Sequence, residues 1–472
     1  MNTTTERHNR LDYVPAGFYS RYQGLVVYTR HKKRIDRNKH TLSVLEQGKH
    51  HVVIDSPDRV LMLADNMFHA NSSLQTQNWH EMQLLSHYHT GGNDLPLQYV
   101  MTNYTESLGV RENQDTSSCR NNVQMRTTQV IADSGGYQLK VGDYDFIDPL
   151  TEVKWLNANA DLSMVLDIPC NQINDLELVL KCATIQKNNT EVWLENKRPS
   201  LELINIFHGI DHKTLQKFRA ITENPAIDRV AIGGVGLVDM YTGVDLAVST
   251  LLSLQDYKHH HFLGITDRKL LVLFMYMSKL GFSKHITFDS TSASRLAAYK
   301  NFLHLPISEK GIKIEEDFGC KNNYVSSHSR LACNCPVCSS VVYEDVLRSV
   351  RGNVIDSLLG LHTHYIYNDW VQTTQDVIQD NDSVTIKKFL DYQFGRSKAR
   401  DLHVLMDYLD EIKLSGLRKA KDKFSYHFKR TKTLFTNTTK SNFGLDEAET
   451  EAPIDYKHIR KVVANYEKYH GT

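Results

Sequence analysis

Two aspartates set the chemistry this sequence could perform. Asp133 opens the string Asp133-Ser134-Gly135-Gly136-Tyr137-Gln138, directly after the apolar run Val130-Ile131-Ala132. Asp289 opens Asp289-Ser290-Thr291-Ser292, directly after Ile286-Thr287-Phe288. Two carboxylates in different environments suit a double displacement at a glycosidic carbon. One attacks to form a covalent glycosyl-enzyme and the other shuttles protons. The glycines that come after Asp133 let the chain turn sharply and let a flat ligand approach the backbone. The same Asp-Ser-Gly-Gly string is also a common helix N-cap or turn.

A second group points to a metal. Of seven cysteines, Cys119, Cys170, Cys182 and Cys320 are scattered, whereas Cys333-Asn334-Cys335-Pro336-Val337-Cys338 crowds three into six positions. In a chain expected to be cytosolic, soft thiolates at this spacing favour zinc over a disulfide. Three sulfurs need a fourth ligand, and Leu361-His362-Thr363-His364 offers two candidates, with Cys320 as another; buried free thiols are the plainer alternative. A closed site of three cysteines and one histidine is structural, with no open position for a water nucleophile.

The elements that must carry these residues show in the pattern of short apolar runs. Eight recur from residue 60 onward: 60–63, 99–101, 130–132, 164–166, 203–207, 229–232, 261–263 and 286–288. Runs of this length fit strands buried on both faces, and their alternation with helix-length segments implies a parallel sheet. Eight such units make a closed (β/α)8 TIM barrel the economical expectation within an α/β fold. From the third run onward, each gives way to polar or glycine residues: Asp133, then Asp167-Ile168-Pro169-Cys170, His208-Gly209-Ile210-Asp211, Gly233-Gly234-Val235-Gly236, Gly264 and Asp289. In a barrel all of these lie on the C-terminal rim, where its enzymes place their chemistry.

The expected domains are an N-terminal extension over 1–55, a catalytic barrel over 56–308, a zinc-binding subdomain over 309–371 and a helical, locally basic region over 372–472. Lys plus Arg and Asp plus Glu both number 55, so any nucleic-acid surface must be a local patch. Two patches stand out. One is His31-Lys32-Lys33-Arg34 with Arg37 and Lys39; the other runs from Lys413 to Lys432, with Tyr426, Phe428 and Phe435 in and beside it. The longest nearly pure apolar run, Leu270 to Met277, is far short of the roughly 20 residues of a membrane span, and the N-terminus has no signal-peptide core. A cytoplasmic protein without a membrane partner is expected.

Asp-Ser-Gly-Gly-Tyr-Gln, Gly-Gly-Val-Gly, Phe288-Asp289-Ser290 and Cys-x-Cys-x-x-Cys with a later His, in this order, resemble the tRNA-guanine transglycosylase superfamily over about residues 55–370. Phe288-Asp289-Ser290-Thr291-Ser292 and Cys335-Pro336-Val337-Cys338 look most like its archaeal branch. The chain departs from the tRNA enzymes in three places. It lacks the Pro-Thr-Arg that comes after the nucleophile in bacterial members, it has no evident archaeal-type tRNA-binding domains, and it carries His208-x-x-Asp211 where they place Gln-Gly. That His-x-x-Asp is similar to the DNA-acting 7-deazaguanine transglycosylases (DpdA).

The resemblance implies an exchange of guanine in DNA for a 7-deazaguanine, such as 7-cyano-7-deazaguanine. Exchange in tRNA, or a non-catalytic subunit role, are the alternatives. It implies Asp289 as nucleophile and Asp133 as general acid/base. Asp167 would read the donor edge of guanine, with His208 at the base carbonyl and Asp211 beside it. Gly233, Gly234, Val235 and Gly264 would approach the base with backbone, and Tyr137 would stack on it. Structural Zn2+ would be held by Cys333, Cys335, Cys338 and His362, the choice that the archaeal likeness of Leu359-Gly360-Leu361-His362 favours; bacterial spacing gives His364. A protein partner from a DNA-modification system and a homodimer are compatible with this picture.

Overall fold

The computed structural model of the protein describes residues 11–15, 99–104, 129–170, 173, 175–209, 211–290, 302–304, 307–308, 311–312, 315–317, 353–438 and 455–471. Its centre is one all-parallel sheet of eight strands: β1 (Leu11–Pro15), β2 (Tyr99–Asn103), β3 (Gln129–Asp133), β4 (Leu162–Met164), β5 (Glu202–His208), β6 (Arg229–Gly233), β7 (His259–Phe262) and β8 (Ile286–Ser290). The order across the sheet is β1-β8-β7-β6-β5-β4-β3-β2. Sequential strands are therefore neighbours, and β8 returns to pair with β1, Val14 opposite Asp289. The edge strands β1 and β2 approach each other without a hydrogen-bonded ladder. The fold is thus α/β and barrel-like, but the sheet does not close as the expected barrel would.

The strands form where the runs are apolar on both faces. Six of the seven residues of β5 are buried, and every residue of β8 is buried, which leaves the backbone no partner but a neighbouring strand. Helices cover the outside: α1 (Gly136–Val141), α2 (Pro149–Asn159), α3 (Leu176–Asn196), α4 (His212–Thr222), α5 (Met240–Ser253) and α6 (Arg268–Lys279). Aspartate starts most of them. Asp148, Asp175, Asp211, Asp239 and Asp267 each accept backbone N–H groups at the N-terminus of α2 to α6, satisfying donors that a helix end leaves open.

One strand of the sheet comes from a segment where none is expected. The run at 60–63 lies outside the described residues, and the place beside β8 belongs to β1, from a segment that reads as part of an N-terminal extension. The physical reason is pairing. Leu11 is fully buried, and its N–H donates to Oε1 of Gln375 (3.1 Å). Asp12 is buried against Nε2 of His285 (3.0 Å).

Beyond β8, two short antiparallel pairs occur within 302–317. Next come five helices: α7 (Asn353–Asp380), α8 (Ser383–Phe394), α9 (Arg396–Ser415), α10 (Leu417–Thr438) and α11 (Tyr456–His470). They pack on the outer helices. On α9, Tyr408 donates its hydroxyl to Asp245 of α5 (2.7 Å), and Asp410 accepts from Tyr276 of α6 (2.7 Å). On α11, the Tyr466 hydroxyl donates to the Ile147 carbonyl (2.8 Å), and Lys461 pairs with Asp145. Among the described residues no helix is long and apolar enough to cross a membrane.

Candidate active site at the strand ends

A parallel sheet brings the C-terminal ends of all its strands to one edge, and the expected site residues collect there. Asp133 ends β3, His208 ends β5 and Gly233 ends β6. Asp167 comes just after β4, Gly264 just after β7, and Asp289 is the penultimate residue of β8. His208 and Gly233 are register partners across β5 and β6.

Asp289 is held by one oxygen. Its Oδ1 accepts the Gly264 N–H at 2.8 Å and lies 3.1 Å from Nε2 of His261. Gly264 presents that N–H from φ +66°, a conformation that favours glycine. Oδ2 has no hydrogen-bond partner among the described residues. The residue is 8 % exposed.

Asp167 is held on both sides. Oδ1 accepts the Ser134 hydroxyl (3.1 Å), and Oδ2 lies 2.6 Å from Nε2 of His208. All three residues are buried. His208 also stands edge-on to Phe218, with ring centroids 5.2 Å apart. His208 thus turns its Nε2 toward Asp167. Asp211 does not join them. It caps α4, its Oδ1 accepting the Thr214 N–H (2.8 Å) and its Oδ2 the Thr214 hydroxyl (3.0 Å).

Asp133 is not the cap that its sequence context also allows. The N-cap of α1 is Gly135, with no side-chain cap bond, and Asp133 is the last residue of β3. Tyr137, in the first turn of α1, is 50 % exposed. Gly234 (φ +92°) starts the short 3-10 turn Val235–Leu237 that ends the β6 edge, and Val235 is fully buried.

Four residues at the site escape the sequence reading. Ser134 and His261 are the first two, through their contacts with Asp167 and Asp289. His261 also places Nδ1 2.7 Å from the Thr287 hydroxyl, which Nε2 of the third, His259, approaches at 2.6 Å from the other side. Burial pushes His259 well below the ordinary imidazole value, and His285, His261 and Arg229 push the same way. The signal was available in the period of a strand: His259 and His261 are two apart on β7, and Thr287 and Asp289 two apart on β8. The fourth is Glu152 of α2, fully buried, with neither oxygen hydrogen-bonded among the described residues. Burial raises its carboxyl well above the usual range, and Asp133, Asp167 and Asp148 add to the rise.

Cys333, Cys335 and Cys338 lie outside the described residues. His362 and His364 both fall within α7. Among the described residues, no group of three or more His, Cys, Asp or Glu is arranged to hold a metal. Neither a protein-family model nor a curated protein matches the chain.

Proposed function

We propose that the protein is a DNA-guanine transglycosylase, exchanging guanine in DNA for a 7-deazaguanine through a covalent aspartyl-glycosyl intermediate. The observation that carries this reading is the Asp289 carboxylate, anchored through Oδ1 and with no hydrogen bond at Oδ2 among the described residues, on the same strand-end edge as Asp133 and the Ser134–Asp167–His208 group. Oδ2 of Asp289 attacks C1′ of the deoxyribose, and the C1′–N9 bond breaks. Asp133 supplies a proton to the departing guanine and takes one from the incoming base, whose ring nitrogen then displaces Asp289. Asp167 is the acceptor for the N1–H and amino donors of the base. His208 and Ser134 orient that carboxylate. A base inside a duplex is out of reach of such a pocket, so the target is flipped out or already unpaired.

A donor set of three thiolates and one imidazole, Cys333, Cys335, Cys338 and His362 or His364, suits a closed structural Zn2+ site. That ion would hold the 309–371 segment together; the exchange is written entirely through the aspartates of the strand-end edge.

The test is incorporation of labelled guanine into DNA oligonucleotides and, in parallel, into tRNA. Exchange into DNA with a denaturation-resistant protein–DNA adduct is expected, both lost in Asp289→Asn. Exchange into tRNA alone would move the assignment to the tRNA alternative. Exchange into neither, under conditions where the chain is folded and zinc-loaded, would sink both.

A further inference from the structure

A buried line of polar contacts leads to the attacking residue from inside the sheet. It runs from Nε2 of His259 to the Thr287 hydroxyl (2.6 Å), from that hydroxyl to Nδ1 of His261 (2.7 Å), and from Nε2 of His261 to Oδ1 of Asp289 (3.1 Å). His259, His261 and Thr287 are fully buried. At its inner end the His259 ring stacks on His285 (centroids 4.7 Å apart), whose Nε2 meets Asp12 of β1.

With both rings neutral and Asp289 ionised, the proton count along this line has one self-consistent solution. Thr287 has a single hydroxyl proton and two imidazole nitrogens facing it, so at least one ring must donate to it. Suppose His259 donates from Nε2. Thr287 then donates to Nδ1 of His261, and a neutral His261 carries its proton on Nε2, pointing at the carboxylate. Each contact then has one donor and one acceptor. In the reverse direction His261 donates from Nδ1, and a neutral ring turns a bare Nε2 lone pair toward a negatively charged oxygen, which is repulsive.

We propose that His261 is a positioning residue for Asp289: held by Thr287 as its neutral Nε2–H tautomer, it donates to Oδ1 and so fixes Oδ2 as the attacking oxygen. The arrangement parallels the general logic of a reactive group oriented by a histidine whose tautomer a third group sets. Here the histidine anchors the nucleophile and takes no proton from it. The inference rests on the reading of Asp289 as nucleophile.

Two measurements on the full chain test it. The first is nitrogen NMR of protein labelled in histidine, with the His261 signals assigned by their loss in His261→Gln. A neutral ring protonated on Nε2 through the neutral pH range is expected, turning into a tautomer mixture in Thr287→Val. A native His261 protonated on Nδ1, or on both nitrogens, overturns the proposal, and this readout needs no activity. The second is base-exchange kinetics. His261→Phe, which keeps a ring but loses the donor, should lower kcat roughly 10- to 100-fold, the weight of one hydrogen bond to a charged group, with KM for the free base little changed. His261→Gln, whose amide can still donate, should recover most of that loss. Native kcat in His261→Phe overturns the positioning role. Absence of exchange in the native chain would instead be a failure of the transglycosylase reading, with the NMR result still deciding the tautomer.

Discussion

A side chain on Gly136 would collide with Asp167: its Cβ would lie 2.3 Å from Oδ1 and 2.8 Å from the carbonyl oxygen of that residue. The first turn of α1 is therefore packed directly against the carboxylate assigned to base recognition, and only a glycine leaves room for it. Gly136→Ala should push Asp167 out of reach of Ser134 and His208. The expected cost is about 1–3 kcal/mol, the range for overpacking a tight site, read from urea unfolding. Binding of free guanine, measured by calorimetry, should fall more steeply than stability does. Unchanged guanine binding in a destabilised Gly136→Ala protein would remove Asp167 from the recognition role.

Burial gives the fold two opposing responses to pH. His260 is almost fully buried between the Leu254 carbonyl (3.0 Å) and the Ser283 hydroxyl (2.8 Å), and burial lowers its value from 6.5 to about 4. In that window the unfolded chain binds the proton and the folded chain does not. Stability is thus intact above pH 6.5 and falls as the pH drops toward 4, by about 3 kcal/mol from this group at about 1.4 kcal/mol per unit. His259 acts in the same direction. Glu152 acts oppositely: its raised value makes the folded state hold a proton that the unfolded chain releases above 4.5, so its contribution worsens as pH rises. Denaturant unfolding across pH 4–8 should show a shallower acid slope for His260→Gln. For Glu152→Gln the stability advantage over the native chain should grow with pH. An advantage that shrinks as pH rises would contradict the buried, protonated carboxyl.

How far the sequence could be read depended on what each residue does locally. The runs at 203–207, 229–232 and 286–288 announce buried strands because burial on both faces demands unbroken apolar residues, and the polar or glycine residue after each marks the edge. β1 could not be read this way. It is five residues long, carries Asp12, and stands far from β2 in sequence. Asp211 misled because a helix cap and a ligand-binding carboxylate look alike in sequence, and only the Thr214 contacts separate them. The two-residue period puts His261 on the face of His259 and Asp289 on the face of Thr287, but only the pairing of β7 with β8 brings His261 to Asp289.

Zinc is expected at one equivalent per chain, bound through Cys333, Cys335, Cys338 and one of His362 and His364. Because a closed site of three cysteines takes a single histidine, Ala replacement of one should empty the site and replacement of the other should not. Since a closed site contributes folding energy, chelation should lower thermal stability as well as activity. Elemental analysis of a folded, active preparation without zinc would refute the site.

The basic stretch of α10 and α9 separates its aromatic residues by role, which sharpens the test of where DNA lies. Phe428 packs edge-on against Tyr241 (5.5 Å) and Tyr408 (5.0 Å), so it fastens α10 to α5 and α9. Tyr426 is 67 % exposed. Lys421 pairs with Asp245 (2.9 Å) and Lys423 with Glu411, which leaves these two lysines partly neutralised before any phosphate arrives. If this face holds an unpaired strand, Tyr426→Ala should weaken single-stranded DNA binding by about 1–3 kcal/mol, the worth of one stacked base, with thermal stability unchanged. Phe428→Ala should do the reverse, lowering stability through lost packing. Neutralising Lys419 and Lys429 should flatten the dependence of binding on salt by about one log-log unit per lost phosphate contact. Identical salt slopes and identical affinity in the Tyr426→Ala and lysine variants would place the DNA along the strand-end edge alone, with α10 serving only to cover α5.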